Sequence, residues 1–168
     1  MTDWTLLILF PALLAYAAVS DMLTMTISNR VSLLLIAGFF PIAALIGLPW
    51  QMIGFHTLAA LLVLIVTFGM FTAGWMGGGD AKLASATALW LGFSGLLDYV
   101  LVTAMAGGVL TLFLLKARNY PLPAIVAGWG WSRRLHSAKS GIPYGIALAF
   151  SGLIVYPQTD IWRLALGG

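Results

Sequence analysis

The sequence predicts an all-α, polytopic membrane protein with about six transmembrane helices, and three observations predict it. Apolar residues make up 61% of the chain and charged residues only 8%, against about 25% charged in an average soluble domain. The apolar residues come in runs close to the ~20 helical residues that cross a hydrocarbon core of about 30 Å. The basic residues fall in alternate loops between those runs, the pattern of cytoplasmic loops in membrane proteins.

Taken in order, the runs place spans at 4–20, 31–48, 53–75, 81–97, 99–115 and 142–157, within one membrane-embedded domain over 1–168. The first run ends near Ala15-Tyr16-Ala17, which resembles a signal-peptide cleavage site. A signal peptide begins with a positive region, however, and here Asp3 stands first with no Lys or Arg before Arg30, so a retained helix is expected. Pro11 and Pro41 fall inside the first and second spans; neighbouring helices re-satisfy the backbone groups such prolines free. If the fourth and fifth spans form one re-entrant unit, the count becomes five.

The segment 117–141 is the one sizeable loop, and it mixes Tyr120, Trp129 and Trp131 with Arg133, Arg134 and Lys139. Aromatic rings at headgroup depth beside basic residues that meet anionic lipid make it an interfacial anchor. The net charge of +3 is spread among apolar runs and forms no basic domain, which argues against nucleic acid as a partner. Cysteine is absent, so disulfides, thiolate nucleophiles and cysteine-ligated zinc are excluded.

The loops after the first, third and fifth spans hold Arg30, Lys82, Lys116, Arg118, Arg133, Arg134 and Lys139, seven of the eight basic residues. They define the cytoplasmic side and put both termini outside the cytoplasm. The chain has five aspartates and no glutamate. Asp3, Asp98 and Asp160 fall on the outer side with Arg163, which leaves only Asp21 and Asp80 facing the cytoplasm. An ionisable residue at the edge of a membrane helix is a functional candidate by default.

The string Gly77-Gly78-Gly79-Asp80 precedes the fourth span. Its glycines give backbone freedom and allow a substrate strand close approach, and Asp80 falls about where a helix N-cap would sit. No Gly-Lys-Ser/Thr ending follows, so a phosphate loop is excluded. Asp21 opens a second polar string that runs to Ser28-Asn29, a cap for the second helix. Two such carboxylates can form an aspartyl dyad, in which like charges held close share one proton. The ionised member deprotonates water, and the protonated member hydrogen-bonds the peptide carbonyl. Gly92-Phe93-Ser94-Gly95 looks like a serine-protease motif, but Ser94 lies on the outer side, His136 on the inner, and His56 has no carboxylate to orient it. No Glu exists for a His-Glu-x-x-His zinc site.

These residues resemble the type IV prepilin peptidases, which belong to the G-x-G-D aspartyl proteases of membranes. Gly77-x-Gly79-Asp80-x-Lys82 matches that family's second catalytic motif, and the stretch Asp21 to Asn29 looks like its first, with Ser28 where the family has proline. Pro143-Tyr144-Gly145 resembles a third element, with Ile146 in place of its last proline. The resemblance implies catalysis by Asp21 and Asp80, and support from Gly77, Gly79, Lys82, Asn29 and Tyr144. It implies no cofactor or metal. The implied substrate is a prepilin cut after a glycine, on the cytoplasmic side of the bacterial inner membrane. Longer members of the family carry a cysteine-bearing insertion after the first span and methylate the product. With a short loop between Asp21 and Arg30 and no cysteine, this chain looks like the peptidase-only form that serves Flp pili. Association into a homo-oligomer is compatible with it. The same aspartates would also suit a small ion- or proton-coupled transporter, or cap helices in a secretion-system scaffold.

Overall fold

Residues 4–166, the part of the chain that the computed structural model describes, are helical nearly throughout. In order these are α1 (Trp4–Thr24), α2 (Asn29–Leu45), α3 (Trp50–Thr72), α4 (Gly78–Ala117), α5 (Ala124–Ala127), α6 (Gly130–His136), α7 (Tyr144–Val155), a 3-10 turn (Tyr156–Gln158) and α8 (Asp160–Ala165). Three stretches are long and apolar enough to cross a membrane: Leu7–Thr24, Trp50–Thr72 and Gly78–Ala117. Large apolar side chains point outward along the bundle, among them Leu33, Ile65, Met105 and Phe113. Water would not tolerate such a surface, and lipid requires it.

The first half of α4 is the axis of the bundle, because every residue from 83 to 92 is buried. Its sequence there is rich in Ala, Ser and Thr, and small residues let membrane helices approach closely. Polar groups on this helix find backbone partners on its neighbours. The Trp90 indole N–H donates to the Leu35 carbonyl at 2.9 Å, and the Ser85 hydroxyl donates to the Ala60 carbonyl at 2.8 Å. On the α7 side, Gly152 is pressed so close that a Cβ there would lie 2.7 Å from Leu14 and 3.0 Å from Thr87. Phe10 stacks against Trp90 and Tyr156, with ring centroids 5.1 and 4.5 Å away.

A straight helix of 40 residues would be about 60 Å long, twice the thickness of a hydrocarbon core. α4 is not straight, because Gly92 breaks it with φ 64° and ψ −175°. Only glycine takes such a conformation without strain. After the break the chain runs back toward the end it came from. Gly95 packs on Val155 and Thr159 at the end of α7, while Gly107 packs on Tyr144 at its start. The turn between the expected fourth and fifth spans therefore falls at Gly92, not at Asp98. Asp98 continues a helix, and the residue that can adopt positive φ sets the reversal.

His56 holds this reversal in place. The imidazole is buried, and its Nδ1 lies 2.7 Å from the Leu89 carbonyl, in the last turn before the break. A carbonyl can only accept, so Nδ1 carries the proton. The ring also fills the space beside Gly92, where a Cβ would sit 2.8 Å from its atoms.

Two smaller differences from the sequence reading concern helix ends. α1 continues to Thr24, so Asp21 lies in its last turns and not beyond it. The N-cap of α4 is Gly77, which makes Asp80 the third helical residue and not the cap. The loop 117–141 contains two short helices, α5 and α6, and Arg118 pins it by donating to the carbonyls of Leu135, Ser140 and Gly141 at 2.8, 3.2 and 2.9 Å. Arg134 also donates to the Leu23 carbonyl, which fastens the loop over the end of α1.

Candidate active site

Asp21 and Asp80 come to the same end of the bundle, brought there by three chain segments that meet on one side chain, Ile27. The loop 25–28 leaves α1 through Met25, a non-glycine residue at φ 57°, and enters α2 through Ser28, whose hydroxyl accepts the Arg30 N–H at 3.3 Å. Between them Ile27 acts as a wedge. Its backbone and Cβ press on Gly79, where an added Cβ would be 3.2 Å away, and its Cδ1 presses on Gly145, where the figure is 2.6 Å. Gly79 adjoins Asp80 and Gly145 adjoins Asp21, so one isoleucine spaces the two carboxylates. They are close enough for the charge of Asp21 to act on Asp80.

Asp21 is 5% exposed. Its Oδ2 accepts the backbone N–H of Gly145 at 2.8 Å. Pro143 is the N-cap of α7, so this amide belongs to the first turn, where N–H groups have no intrahelical acceptor and the helix dipole favours an anion. Any side chain at 145 would collide with the carboxylate, since a Cβ would lie 2.7 Å from Oδ2. The resemblance names Tyr144 of this motif as a supporting residue, and not Gly145. The structure puts the amide of Gly145 on Asp21 and turns Tyr144 away. The Tyr144 ring rests on Gly107, and its hydroxyl meets that of Thr111 at 3.1 Å. A glycine directly after Pro-aromatic, at a helix start, was the signal available.

Asp80 is half-buried in the first turn of α4, and its carboxylate curls back over the Gly77 amide in the manner of a capping box. Its Oδ2 lies 3.0 Å from where a Cβ on Gly77 would be. Gly78 packs on Phe71, with 3.3 Å to a hypothetical Cβ. Each glycine of the triplet thus faces a different neighbour: the carboxylate, α3 and the Ile27 wedge.

Lys82 points to the other side of α4. Its Nζ donates to the Asn29 side-chain oxygen at 2.9 Å. Two residues from the two motif strings are thereby tied directly, which links the start of α2 to the start of α4. Ser94 is exposed beside the Gly92 break, at the opposite end of the bundle from Asp21. His56 stands near Asp160, a carboxylate within electrostatic range that the sequence did not reveal, but its ring is committed to the Leu89 carbonyl. No Ser-His pair forms among the described residues. Asp3 lies outside them.

Two carboxylates that converge at one end of a membrane helix bundle, each with acceptor capacity to spare, have the arrangement of a membrane-embedded aspartyl peptidase. A model of the type IV leader peptidase family matches residues 8–112, well over half of the chain, and the chain belongs to that family. Its members are aspartic-type endopeptidases, and the protein is a membrane hydrolase of this kind. The match includes Asp21 and Asp80 and ends before Tyr144 and Gly145. No curated protein and no solved structure matches the chain significantly.

Proposed function

We propose that Asp21 and Asp80 are the catalytic pair of this peptidase and that its substrates are type IV prepilins. The observation that carries this reading is the convergence of both carboxylates about Ile27, with the Gly145 amide fixed on Asp21. A water between the carboxylates loses a proton to the ionised one as its oxygen attacks the peptide carbonyl carbon. The protonated carboxyl hydrogen-bonds the carbonyl oxygen as charge develops there. Collapse of the tetrahedral intermediate breaks the C–N bond, and the leaving nitrogen takes a proton. The products are a leader with a new carboxylate and a pilin with a new amino terminus.

A prepilin keeps its hydrophobic segment in the bilayer, so the scissile bond, just before that segment and after a glycine, meets the enzyme at the membrane edge. The position of Asp21 in the last turns of α1 and of Asp80 in the first turn of α4 supports this reading. The basic residues Arg30, Lys82, Arg118, Arg133 and Arg134 cluster in sequence with this end, which supports a cytoplasmic site in the inner membrane. The first turns of α1 and the helix α8 meet at the other end, through Phe10, Tyr156 and Trp162, in keeping with periplasmic termini. With α4 counted as two membrane passes, α1, α2, α3, α4 and α7 give six spans in one domain. The four-residue loop 25–28 leaves no room for a cysteine-bearing insertion, which supports the peptidase-only form of the Flp type, without methyl transfer.

The test is prepilin processing in membranes that carry Asp21→Asn or Asp80→Asn. Either change should leave the precursor uncut while the protein inserts at wild-type level. Mature pilin produced at the normal rate by either variant would sink the assignment.

A further inference from the structure

The helices α3 and α7 both pack against α4, and residues of all three enclose a cavity of about 420 Å³. One rim is α3, with Leu62 and Val66; the other is the returning half of α4, with Val100 and Ala104. All four rim residues are exposed, so the cavity is a groove that opens sideways onto the lipid face. Its floor includes Ala84, on the first half of α4, and Leu148, on α7, both buried. No charged residue lines it.

One end of this groove is built from the neighbours of both carboxylates. Met76 directly precedes Gly77, over whose amide the Asp80 carboxylate curls. Tyr144 directly precedes Gly145, whose N–H is fixed on Asp21. Ala84 lies one turn from Asp80 on the same face of α4. A helix laid in the groove would point one end at the two carboxylates and keep the rest in the bilayer.

Two other clefts suit such a helix less well. The cleft lined by Asn29, Ser32 and Leu33 also contains Lys82, and an ammonium group is a costly wall for an apolar segment. The cleft lined by Val109, Phe113 and Phe150 borders neither α3 nor the first half of α4, where Asp80 stands.

We propose that the groove between α3 and the returning half of α4 is the docking site for the apolar helix that follows the scissile bond of the substrate. The inference rests on the prepilin reading above and adds the surface that would hold the substrate in line with the carboxylates. The groove admits the side chains of one helix face and not the whole helix, which is about 10–12 Å across. Recognition of this kind anchors residues at i, i+3, i+4 and i+7. The residues present fit it. Ala84 and Ala104 are small, which lets membrane helices approach closely, and Met70 and Met76 carry unbranched side chains that adapt to different partners. Selection then acts on an apolar helix face and not on a particular side chain.

Photocrosslinking of the full-length protein in membranes tests this. A benzoylphenylalanine is installed at Val66 or Ala104, on the two rims, or at Leu33 or Phe113, which are exposed in the other two clefts. Each is combined with Asp21→Asn and expressed with a prepilin. Adducts with the pilin helix are read whether it is cut or uncut, so failure of the carboxylate assignment leaves this test intact. Val66 and Ala104 should give pilin adducts well above those from Leu33 and Phe113. Independently, Ala104→Trp fills the groove from its open side and should raise KM for prepilin about tenfold at unchanged kcat, the mark of lost binding shared by ground and transition states. Leu33→Trp should change neither constant. Equal adducts from all four positions, adducts with lipid alone, or wild-type KM in Ala104→Trp overturns the proposal. A fall in kcat at unchanged KM overturns it too, because the groove would then act on the carboxylates and not on substrate binding.

Discussion

The two ends of the bundle are built from the same parts and put to different uses. At each end a glycine permits a close approach and a buried titratable side chain takes a backbone group. At one end Asp21 accepts the Gly145 N–H, and at the other His56 donates to the Leu89 carbonyl. The difference lies in what remains free. The His56 ring is packed on Gly92 and buried, and its single N–H is spent on holding a helix reversal. A carboxylate has about four lone-pair sites, and one backbone bond to Asp21 leaves most of them for water and substrate. Burial of a polar group in a membrane protein therefore does not by itself mark chemistry. Spare valence beside a second such group does.

The comparison breaks most sharply where charge is removed without change of shape. Asp21→Asn and Asp80→Asn should each reduce prepilin cleavage by at least about a thousandfold, the scale of lost general acid–base catalysis. Asp98→Asn, at the reversal end, should retain wild-type processing. The measurement is the ratio of precursor to mature pilin with time at matched enzyme levels. Equal loss in Asp98→Asn would mean that the two ends are not functionally distinct.

Gly145→Ala comes next in size. One methyl group placed 2.7 Å from Asp21 Oδ2 and 2.6 Å from Ile27 Cδ1 must push the carboxylate, the wedge or α7 aside. A displacement of about 1 Å at a catalytic group costs on the order of a hundredfold in rate. The expected result is that loss in kcat with near-normal insertion and melting temperature. A fully active Gly145→Ala would show that the amide contact is incidental.

Gly92→Ala should act on the fold and spare the chemistry of whatever protein survives. Alanine at φ 64°, ψ −175° costs about 1–3 kcal/mol in backbone strain, and its Cβ would also meet His56 at 2.8 Å. A drop in melting temperature and membrane yield is expected, with unchanged kcat per folded molecule. Lost turnover in well-folded Gly92→Ala would couple the reversal to the site and blur the distinction between the ends.

Much of this was legible in the residues, and the unread part has a common cause. The membrane character followed from composition, and the pairing of Asp21 with Asp80 followed from counting charges loop by loop. Both are properties of segments, which a linear reading handles well. The reversal at Gly92 and the amide of Gly145 depend on contacts between segments. Gly92 sits in an apolar stretch that reads equally well as continuous helix, while Asp98 offered a more conspicuous and mistaken boundary. Ile27 carries no polar signal at all, yet it spaces the site by bulk alone. Lys82 and Asn29 were legible as motif residues, but not as partners 53 positions apart.

That pair gives the smallest expected effect. Both residues are exposed, and a hydrogen bond with one charged partner at an exposed position contributes about 1 kcal/mol or less. The bond nevertheless joins the start of α2 to the start of α4, so it restrains the loop that holds Ile27 against Gly79. Lys82→Met should therefore lower cleavage by a few-fold, about what 1 kcal/mol of lost positioning allows. Asn29→Ala should do the same. A double-mutant cycle separates the shared contact from any independent role: if the two act through one bond, the double variant is no slower than either single one. Multiplicative losses would instead give Lys82 a task of its own at the carboxylate end, for example with the headgroups that surround it.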